Sequence, residues 1–119
     1  MDCGTPLNEN LARVQTEGGL VQGIGMALYE DVSYSKDGKV HENSFMQYKG
    51  AQPSGCGRVQ VELRAASSHR PFGAKSIGEV VINTPSPAIA NAVYNAVGVR
   101  IRELPITAEK VFKGMNGLD

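Results

Sequence analysis

The sequence predicts a single α+β domain, and three observations lead to that prediction. A glycine-rich segment with helical periodicity runs from Leu11 to Tyr29, a hairpin and an alternating strand follow it, and two more helices end the chain. The 119 residues are enough for one small domain. With 41% hydrophobic and 20% charged residues, the composition is typical of a globular chain rather than a disordered one.

The first helix is predicted from residues that recur at three- and four-residue steps and so share one stripe of a helix. These residues are Leu11, Val14, Gly18, Val21, Gly25 and Leu28. Each glycine inside a helix costs about 1 kcal/mol relative to alanine, and the segment contains Gly18, Gly19, Gly23 and Gly25. Close approach of another backbone or of a ligand would explain that cost.

The order of these glycines excludes two common nucleotide sites. From Gly19 they run G-x-x-x-G-x-G, which is neither the dinucleotide-binding order nor a P-loop. The segment alone therefore favours a tightly packed helix crossing. Gln22 is the exception, because its amide could reach a ligand that lies against the glycine face.

An antiparallel hairpin is predicted next. Val32–Ser35 and Val40–Glu42 flank Asp37-Gly38, the strongest two-residue hairpin turn. Farther along, Arg58–Arg64 alternates apolar and polar residues, which predicts a half-buried strand of an antiparallel sheet.

Two helices are predicted at the end of the chain. Ser86 and Pro87 are placed as N-cap and first residue of one helix, which Gly98 closes. Its buried stripe is predicted to be Ile89, Ala92, Val93 and Ala96. Thr107 is expected to cap the last helix, which runs to about Lys113.

Composition argues against several classes of function. The formal net charge is zero without a basic stripe, so no nucleic-acid partner is expected. The apolar runs are too short to span a bilayer, and the first residues do not form a signal peptide. Cys3 and Cys56 form no metal-binding spacing with His41 or His69. They are expected to be free thiols, and the expected location is the cytoplasm.

A second glycine-rich segment carries the candidate catalyst. Small residues from Gly73 to Gly78 would let backbone N–H groups converge on one site, as in anion-binding loops. Glu79 ends this loop and precedes the apolar run Val80–Ile82. A partly desolvated carboxylate there would suit a general base. On composition alone, a solvated or helix-capping glutamate is the alternative.

Read together, these segments resemble the xanthine dehydrogenase/aldehyde oxidase family of molybdenum hydroxylases. They occur in the family's order, and the region matched is the C-terminal part of the molybdopterin-binding domain, here residues 1–119. The matching stretches are residues 2–4 with 7–8, 18–28, 44–49, 71–79, 87–93 and 99–105.

The resemblance implies a cofactor and a set of site residues. The cofactor of the intact enzyme would be a molybdenum–pterin, either molybdopterin or its cytosine dinucleotide form. Glu79 corresponds to the glutamate that accepts a proton while an electron-poor carbon is hydroxylated with water as oxygen source. Gln22 corresponds to a glutamine that contacts the cofactor, and the backbone of Lys75, Ser76 and Gly78 would line the cofactor side. No metal ligand is expected from this chain.

Two departures from the family pattern are Ser76, where glycine is common, and Val80, where proline is common. The resemblance implies a purine or related heterocycle as substrate, with an aldehyde as the alternative. It also implies three partners: the rest of the molybdenum subunit, an iron–sulfur subunit or domain, and an FAD subunit or domain. The chain alone is expected to be inactive, to bind no cofactor and to form oligomers. A non-catalytic C-terminal module that completes a partner chain is the competing hypothesis.

Overall fold

The computed structural model describes residues 2–51, 55–64 and 69–118. Three α-helices form its framework: α1 (Glu9–Leu28), α2 (Pro85–Val97) and α3 (Ala108–Met115). Two short 3-10 helices, Pro71–Gly73 and Glu79–Asn83, lie between α1 and α2 along the chain.

The predicted glycine-rich helix is confirmed and begins two residues earlier than expected, at Glu9. The side chain of Asn8 caps it by accepting a hydrogen bond of 3.0 Å from the backbone N–H of Leu11. At the other end, the N–H of Tyr29 donates to the carbonyl of Gly25 over 2.9 Å. The buried face differs from the predicted stripe, since Leu11 and Val14 are exposed. The buried residues of α1 are Ala12, Gly23, Gly25 and Ala27.

Close packing within the chain explains two of the glycines in α1. A Cβ atom on Gly19 would lie 2.9 Å from Cβ of Val81, and one on Gly23 would lie 2.7 Å from Cγ of Pro85. The hydroxyl of Ser86 also donates to the carbonyl of Gly23 over 3.2 Å. The expected helix crossing is therefore confirmed, and the crossing partner is the segment that carries Glu79.

The predicted antiparallel sheet is wrong. No strand occurs in residues 2–51, 55–64 and 69–118, where only the isolated bridges Tyr34–Val40 and Gly4–Ala74 are found. The hairpin turn itself forms, because the N–H of Ser35 donates to the carbonyl of Lys39 over 2.9 Å. A lone hairpin with no third strand or covering helix is marginal in water, which accounts for the short pairing.

The segment Arg58–Arg64 is also not a strand, although its exposure alternates as predicted. Val59, Val61 and Leu63 are half-buried, while the residues between them are exposed. A strand needs a neighbour to pair its backbone N–H and carbonyl groups. Among the described residues, the contact to this backbone is the guanidinium of Arg13, which donates to the carbonyl of Val61 over 2.5 Å.

Both C-terminal helices are confirmed, with one cap corrected. Helix α2 begins at Pro85 rather than Pro87, because Ser86 bonds to α1 instead of capping its own helix. Gly98 closes α2 in the left-handed region at φ 73°. Thr107 caps α3 as predicted, accepting from the N–H of Lys110 over 3.2 Å. The predicted buried stripe of α2 is wrong in part, since Ala92 and Ala96 are exposed.

The hydrophobic interior is a thin seam rather than a full core. Within the described ranges, the buried hydrophobic residues are Ala12, Ala27, Val81 and Ile106. The radius of gyration is 18.0 Å, against about 13.5 Å for a compact chain of this length. The accessible surface is 8971 Å², against roughly 6200 Å² for a folded monomer of this mass. Apolar side chains therefore remain uncovered, with Phe45 and Met46 each 98% exposed.

No helix in the described part is both long and apolar enough to cross a membrane.

Candidate functional site

The loop that leads to Glu79 is fastened to the beginning of the chain. The N–H of Thr5 donates to the carbonyl of Gly73, and the N–H of Lys75 donates to the carbonyl of Cys3, each over 2.9 Å. The ammonium group of Lys75 forms an ion pair with the carboxylate of Asp2. Two segments far apart in sequence thus form one unit beside the candidate base.

A sharp reversal of the backbone lies at Phe72 and Gly73, just before Lys75. Phe72 has φ 55° and Gly73 has φ 68°. A bulky residue in the left-handed region is uncommon and is retained where the surrounding structure requires it. The Phe72 side chain is 88% exposed, so its own packing against the described residues does not explain the conformation.

Glu79 lies on the wall of an open groove of about 770 Å³. The groove is lined by Asp2, Thr16, Leu20, Ser76, Gly78, Glu79, Val80, Val81 and Thr84. The Glu79 side chain is exposed and makes no hydrogen bond to the described residues. Val81 is buried against Gly19, whereas Val80 is 48% exposed. The described part of the chain therefore positions the carboxylate but does not supply the desolvation expected from the apolar run.

Gln22 is exposed on another side of α1. Its side-chain amide has no hydrogen-bond partner in the described ranges. Because an α-helix turns by about 100° per residue, Gln22 lies about 200° around α1 from Leu20, which lines the Glu79 groove. The structure does not bring Gln22 and Glu79 into one pocket of this chain.

Lys75, Ser76 and Gly78 differ in whether their hydrogen-bond donor groups are already used within the chain. Both donor groups of Lys75 are used, the N–H by Cys3 and the ammonium by Asp2. The N–H groups of Ser76, Ile77 and Gly78 donate to no acceptor in the described residues. A Cβ atom on Gly78 would meet nothing within 4 Å. These three N–H groups are therefore unused within the described residues and could donate to an anion.

Asp2 is the residue that sequence reasoning missed. Its carboxylate accepts from the N–H of Gly4 over 2.9 Å and pairs with Lys75. The hydrogen bond from Lys75, followed by that from the Gly4 backbone, lowers the pKa of Asp2. The pair joins positions 73 residues apart, so no local spacing could have indicated it.

Two separate sets of residues, one on α1 and one in the loop before Glu79, have groups that fit a pterin cofactor. Gly18, in the middle of α1, has nothing within 4 Å of a Cβ position, so packing among the described residues does not account for it. The unpaired Gln22 amide and the free N–H groups of the loop are hydrogen-bonding groups suited to a polar heterocycle with an anionic tail. No group of three His, Cys, Asp or Glu that could hold a metal ion occurs among the described residues.

Comparison with known proteins gives a consistent result. Residues 1–53 match a family model described as a molybdopterin cofactor-binding domain. The chain is 39% identical to the gamma subunit of the 6-hydroxypseudooxynicotine dehydrogenase complex of Paenarthrobacter nicotinovorans, over 99% of this chain and 15% of that protein. It is 33% identical to a probable hypoxanthine oxidase of Escherichia coli, over 97% of this chain and 12% of that protein.

A solved structure shows the same arrangement of the backbone. Quinoline 2-oxidoreductase of Pseudomonas putida superposes with a TM-score of 0.85 at 28% identity, over 99% of this chain and 16% of that one. The chain spans only 12–15% of the length of the two curated relatives named above. These matches cover nearly the whole chain, so the aligned region extends across the α1 glycines and the loop Gly73–Gly78 that leads to Glu79. A xanthine dehydrogenase molybdenum-binding subunit of Escherichia coli O157:H7 is 36% identical over 94% of this chain and 15% of that protein. The chain belongs to the molybdenum hydroxylase family and corresponds to part of its molybdenum-binding subunit.

Proposed function

We propose that the complete protein is a molybdenum hydroxylase in which this chain supplies the general base, Glu79. The observation that carries the proposal is the position of Glu79. Its carboxylate, unpaired among the described residues, lines an open groove and directly follows three residues whose backbone N–H groups donate to none of the described residues. Relatives that align across nearly the whole chain include a xanthine dehydrogenase molybdenum-binding subunit and an aldehyde oxidoreductase, which supports the same activity.

Gln22, Ser76 and Gly78 would hold a molybdenum–pterin cofactor. The Gln22 amide can donate and accept hydrogen bonds, and the N–H groups of Ser76 and Gly78 can donate to anionic oxygens. Lys75 would contribute only backbone position, since its ammonium is paired with Asp2. When bound, the cofactor supplies the two-electron redox chemistry of the hydroxylation.

Glu79 would accept a proton at a carboxylate oxygen as the water-derived hydroxyl becomes nucleophilic. A neutral hydroxyl is a poor nucleophile, so a positioned base accelerates such a step by about 10²–10⁴-fold. Glu79 is exposed among the described residues. Exclusion of water would therefore come from the substrate and from parts of the protein outside this chain.

The proposed substrate is a purine or a related nitrogen heterocycle. The names of similar proteins refer to hypoxanthine, to quinoline and to a hydroxylated nicotine derivative. An aldehyde is the second candidate, because an aldehyde oxidoreductase of Megalodesulfovibrio gigas is 35% identical over 96% of this chain. Measurement of turnover with a panel of matched heterocycles and aldehydes distinguishes these two substrate classes.

The proposed partners are the rest of the molybdenum subunit and the iron–sulfur and FAD subunits or domains. The uncovered apolar side chains and the thin core support this proposal, since surfaces of that kind are usually covered by another polypeptide.

The chain alone is expected to bind no molybdenum and to associate with itself or with other chains. Sedimentation as a clean monomer, or about one molybdenum per isolated chain, would contradict these two expectations. The cytoplasm is the proposed location.

The experiment compares Glu79→Gln with Gln22→Ala in the complete protein. Glu79→Gln retains the side-chain volume and removes the proton acceptor, so the single-turnover reduction rate should fall about 10²–10⁴-fold at full molybdenum content. Gln22→Ala should instead lower the molybdenum content. Glu109→Gln is the matched control, because Glu109 pairs with Lys113 on α3. A Glu79→Gln protein with full metal content and an unchanged rate would exclude Glu79 as the base.

A further inference from the structure

The segment Asp2–Thr5 and the loop Gly73–Gly78 form a single clamp in front of the candidate base. We propose that Asp2 is a positioning residue, which holds Lys75 by an ion pair and thereby sets the position of Glu79. This inference rests on the proposed function, because it assigns a role relative to the same base. It differs from the expectation that Lys75 serves the cofactor.

The contacts that carry the proposal come from three kinds of interaction. Asp2 pairs with the ammonium of Lys75 and also accepts from the N–H of Gly4, so the carboxylate is held at two points. Lys75 is held a second time through its backbone, by the carbonyl of Cys3 at 2.9 Å. The Thr5 N–H adds a parallel contact to Gly73 at 2.9 Å.

Gly4 makes this approach possible. It has φ 63°, and a Cβ atom there would collide with the carbonyl oxygen of Gly73. The two backbones therefore run closer together than any side chain at position 4 would allow. The ion pair forms directly beside this close approach.

Glu79 lies between two fixed points. On one side is Lys75, four residues earlier, held by Asp2 and Cys3. On the other is Val81, two residues later, buried against Gly19 of α1. The residues Ser76 to Gly78 make no backbone hydrogen bond as donors in the described part, so the two ends decide where Glu79 stands.

Asp2 also lines the Glu79 groove directly. Its carboxylate would repel the negative charge of Glu79 if it were not neutralised by Lys75. The pair is partly exposed, with 31% of the Lys75 and 49% of the Asp2 side chain accessible. Exposed ion pairs contribute little to global stability. Loss of this pair should therefore affect the geometry of the loop far more than the unfolding temperature.

The test uses the complete protein with Asp2→Asn, Lys75→Gln and the charge exchange Asp2→Lys with Lys75→Asp. Hydrogen exchange of the Thr5 and Lys75 amides measures the clamp itself. We expect both single variants to speed exchange at these amides and the exchanged pair to restore protection. Single-turnover reduction should be about 10–100-fold slower in the single variants, as expected for a small displacement of a catalytic group. KM and molybdenum content should remain unchanged.

The exchanged pair separates the two roles of Lys75. Recovery of most of the rate by Asp2→Lys with Lys75→Asp supports the clamp, because the pair is restored with its direction reversed. A loss of molybdenum in every Lys75 variant, without recovery in the exchanged pair, would show that the ammonium binds the cofactor and would overturn the proposal. Asp2→Glu retains the charge and should keep most of the rate, which guards against a folding defect.

Glu79→Gln in the same series separates failure of this inference from failure of the proposed function. If Glu79→Gln slows reduction while Asp2→Asn loses amide protection at an unchanged rate, the clamp does not position the base and the inference is wrong. If Glu79→Gln has no effect, the proposed function fails instead, and the positioning role fails with it. Glu109→Gln, whose carboxylate pairs with Lys113 on α3 and not with the loop, should match the unmodified protein throughout.

Discussion

The two glycine-rich segments look alike in sequence but use glycine for different physical reasons. In α1, Gly19 and Gly23 leave room for Val81 and Pro85 of the same chain. In the loop before Glu79, Gly73 has φ 68° and permits a reversal, whereas Gly78 has open space beside it. The comparison shows that only glycines with no neighbour among residues 2–51, 55–64 and 69–118, such as Gly18 and Gly78, remain available to face a ligand or another polypeptide. Three glycine substitutions test this difference, and a fourth experiment tests the Asp2–Lys75 pair beside Gly4.

The largest effect is expected for Gly4→Ala. The substitution forces a side chain into the left-handed region and against the Gly73 carbonyl oxygen. Conformational strain and overpacking together should lower the free energy of unfolding by roughly 2–6 kcal/mol. Gly38→Ala is the matched control, because Gly38 also has positive φ but nothing within 4 Å. Denaturant unfolding that gives equal losses for the two variants would contradict the close approach at Gly4.

A smaller loss is expected for Gly23→Ala. The new methyl group would lie 2.7 Å from Cγ of Pro85, and the ring belongs to the first turn of α2. Overpacking of this kind typically costs about 1–3 kcal/mol. Thermal unfolding should show the loss for Gly23→Ala and not for Gly18→Ala in the same helix. A stabilised Gly23→Ala protein would mean that α1 and α2 do not cross as described.

Substitution of Gly18 by alanine should raise the free energy of unfolding, whereas the same change at Gly23 should lower it. Because a Cβ atom at Gly18 meets none of the described residues within 4 Å, Gly18→Ala should stabilise α1 by up to about 1 kcal/mol through helix propensity. In the complete protein, Gly18→Leu should lower molybdenum content or subunit association, because the larger side chain projects from a face that is open in this chain. Full metal content and normal association would show that Gly18 faces solvent in the assembled enzyme.

The smallest effect is expected from acidification. The hydrogen bonds from Lys75 and Gly4 lower the pKa of Asp2 in the folded chain. A carboxylate with a lowered folded pKa contributes stability above its unfolded pKa and loses it as the pH falls through the folded pKa. The protection factor of the Lys75 amide, which is its exchange rate corrected for the intrinsic pH dependence of amide exchange, should therefore stay high at neutral pH and fall only below the usual range of an aspartate. A protection factor that already falls near pH 7 would exclude the carboxylate as the group responsible.

Several features followed from the sequence for local reasons. The long helix, the Gly98 terminus of α2 and the Thr107 cap of α3 each depend on residues within one or two turns of the chain. The candidate residues Gln22 and Glu79 came from glycine motifs and from the family resemblance, and the structure leaves both exposed and unpaired among the described residues. Their catalytic and cofactor roles stay predictions.

The sheet could not be predicted correctly because strands need partners. Alternating residues at 58–64 produced the expected alternation of exposure, yet the described residues provide no neighbouring strand. The buried stripe of α2 was predicted wrongly in part because burial also needs a packing partner. Ala92 and Ala96 are suited to burial, but no described residue covers them.

Short-range spacing and ordered motifs were sufficient to predict the three helices, the Gly98 terminus of α2, the Thr107 cap of α3 and the family. Only the tertiary structure showed which glycines have neighbours, that Gln22 and Glu79 lie on different sides of α1, and that Asp2 pairs with Lys75. The physical reason is distance along the chain. The Asp2–Lys75 pair spans 73 residues, and contacts of that separation depend on how the whole backbone folds rather than on any local pattern.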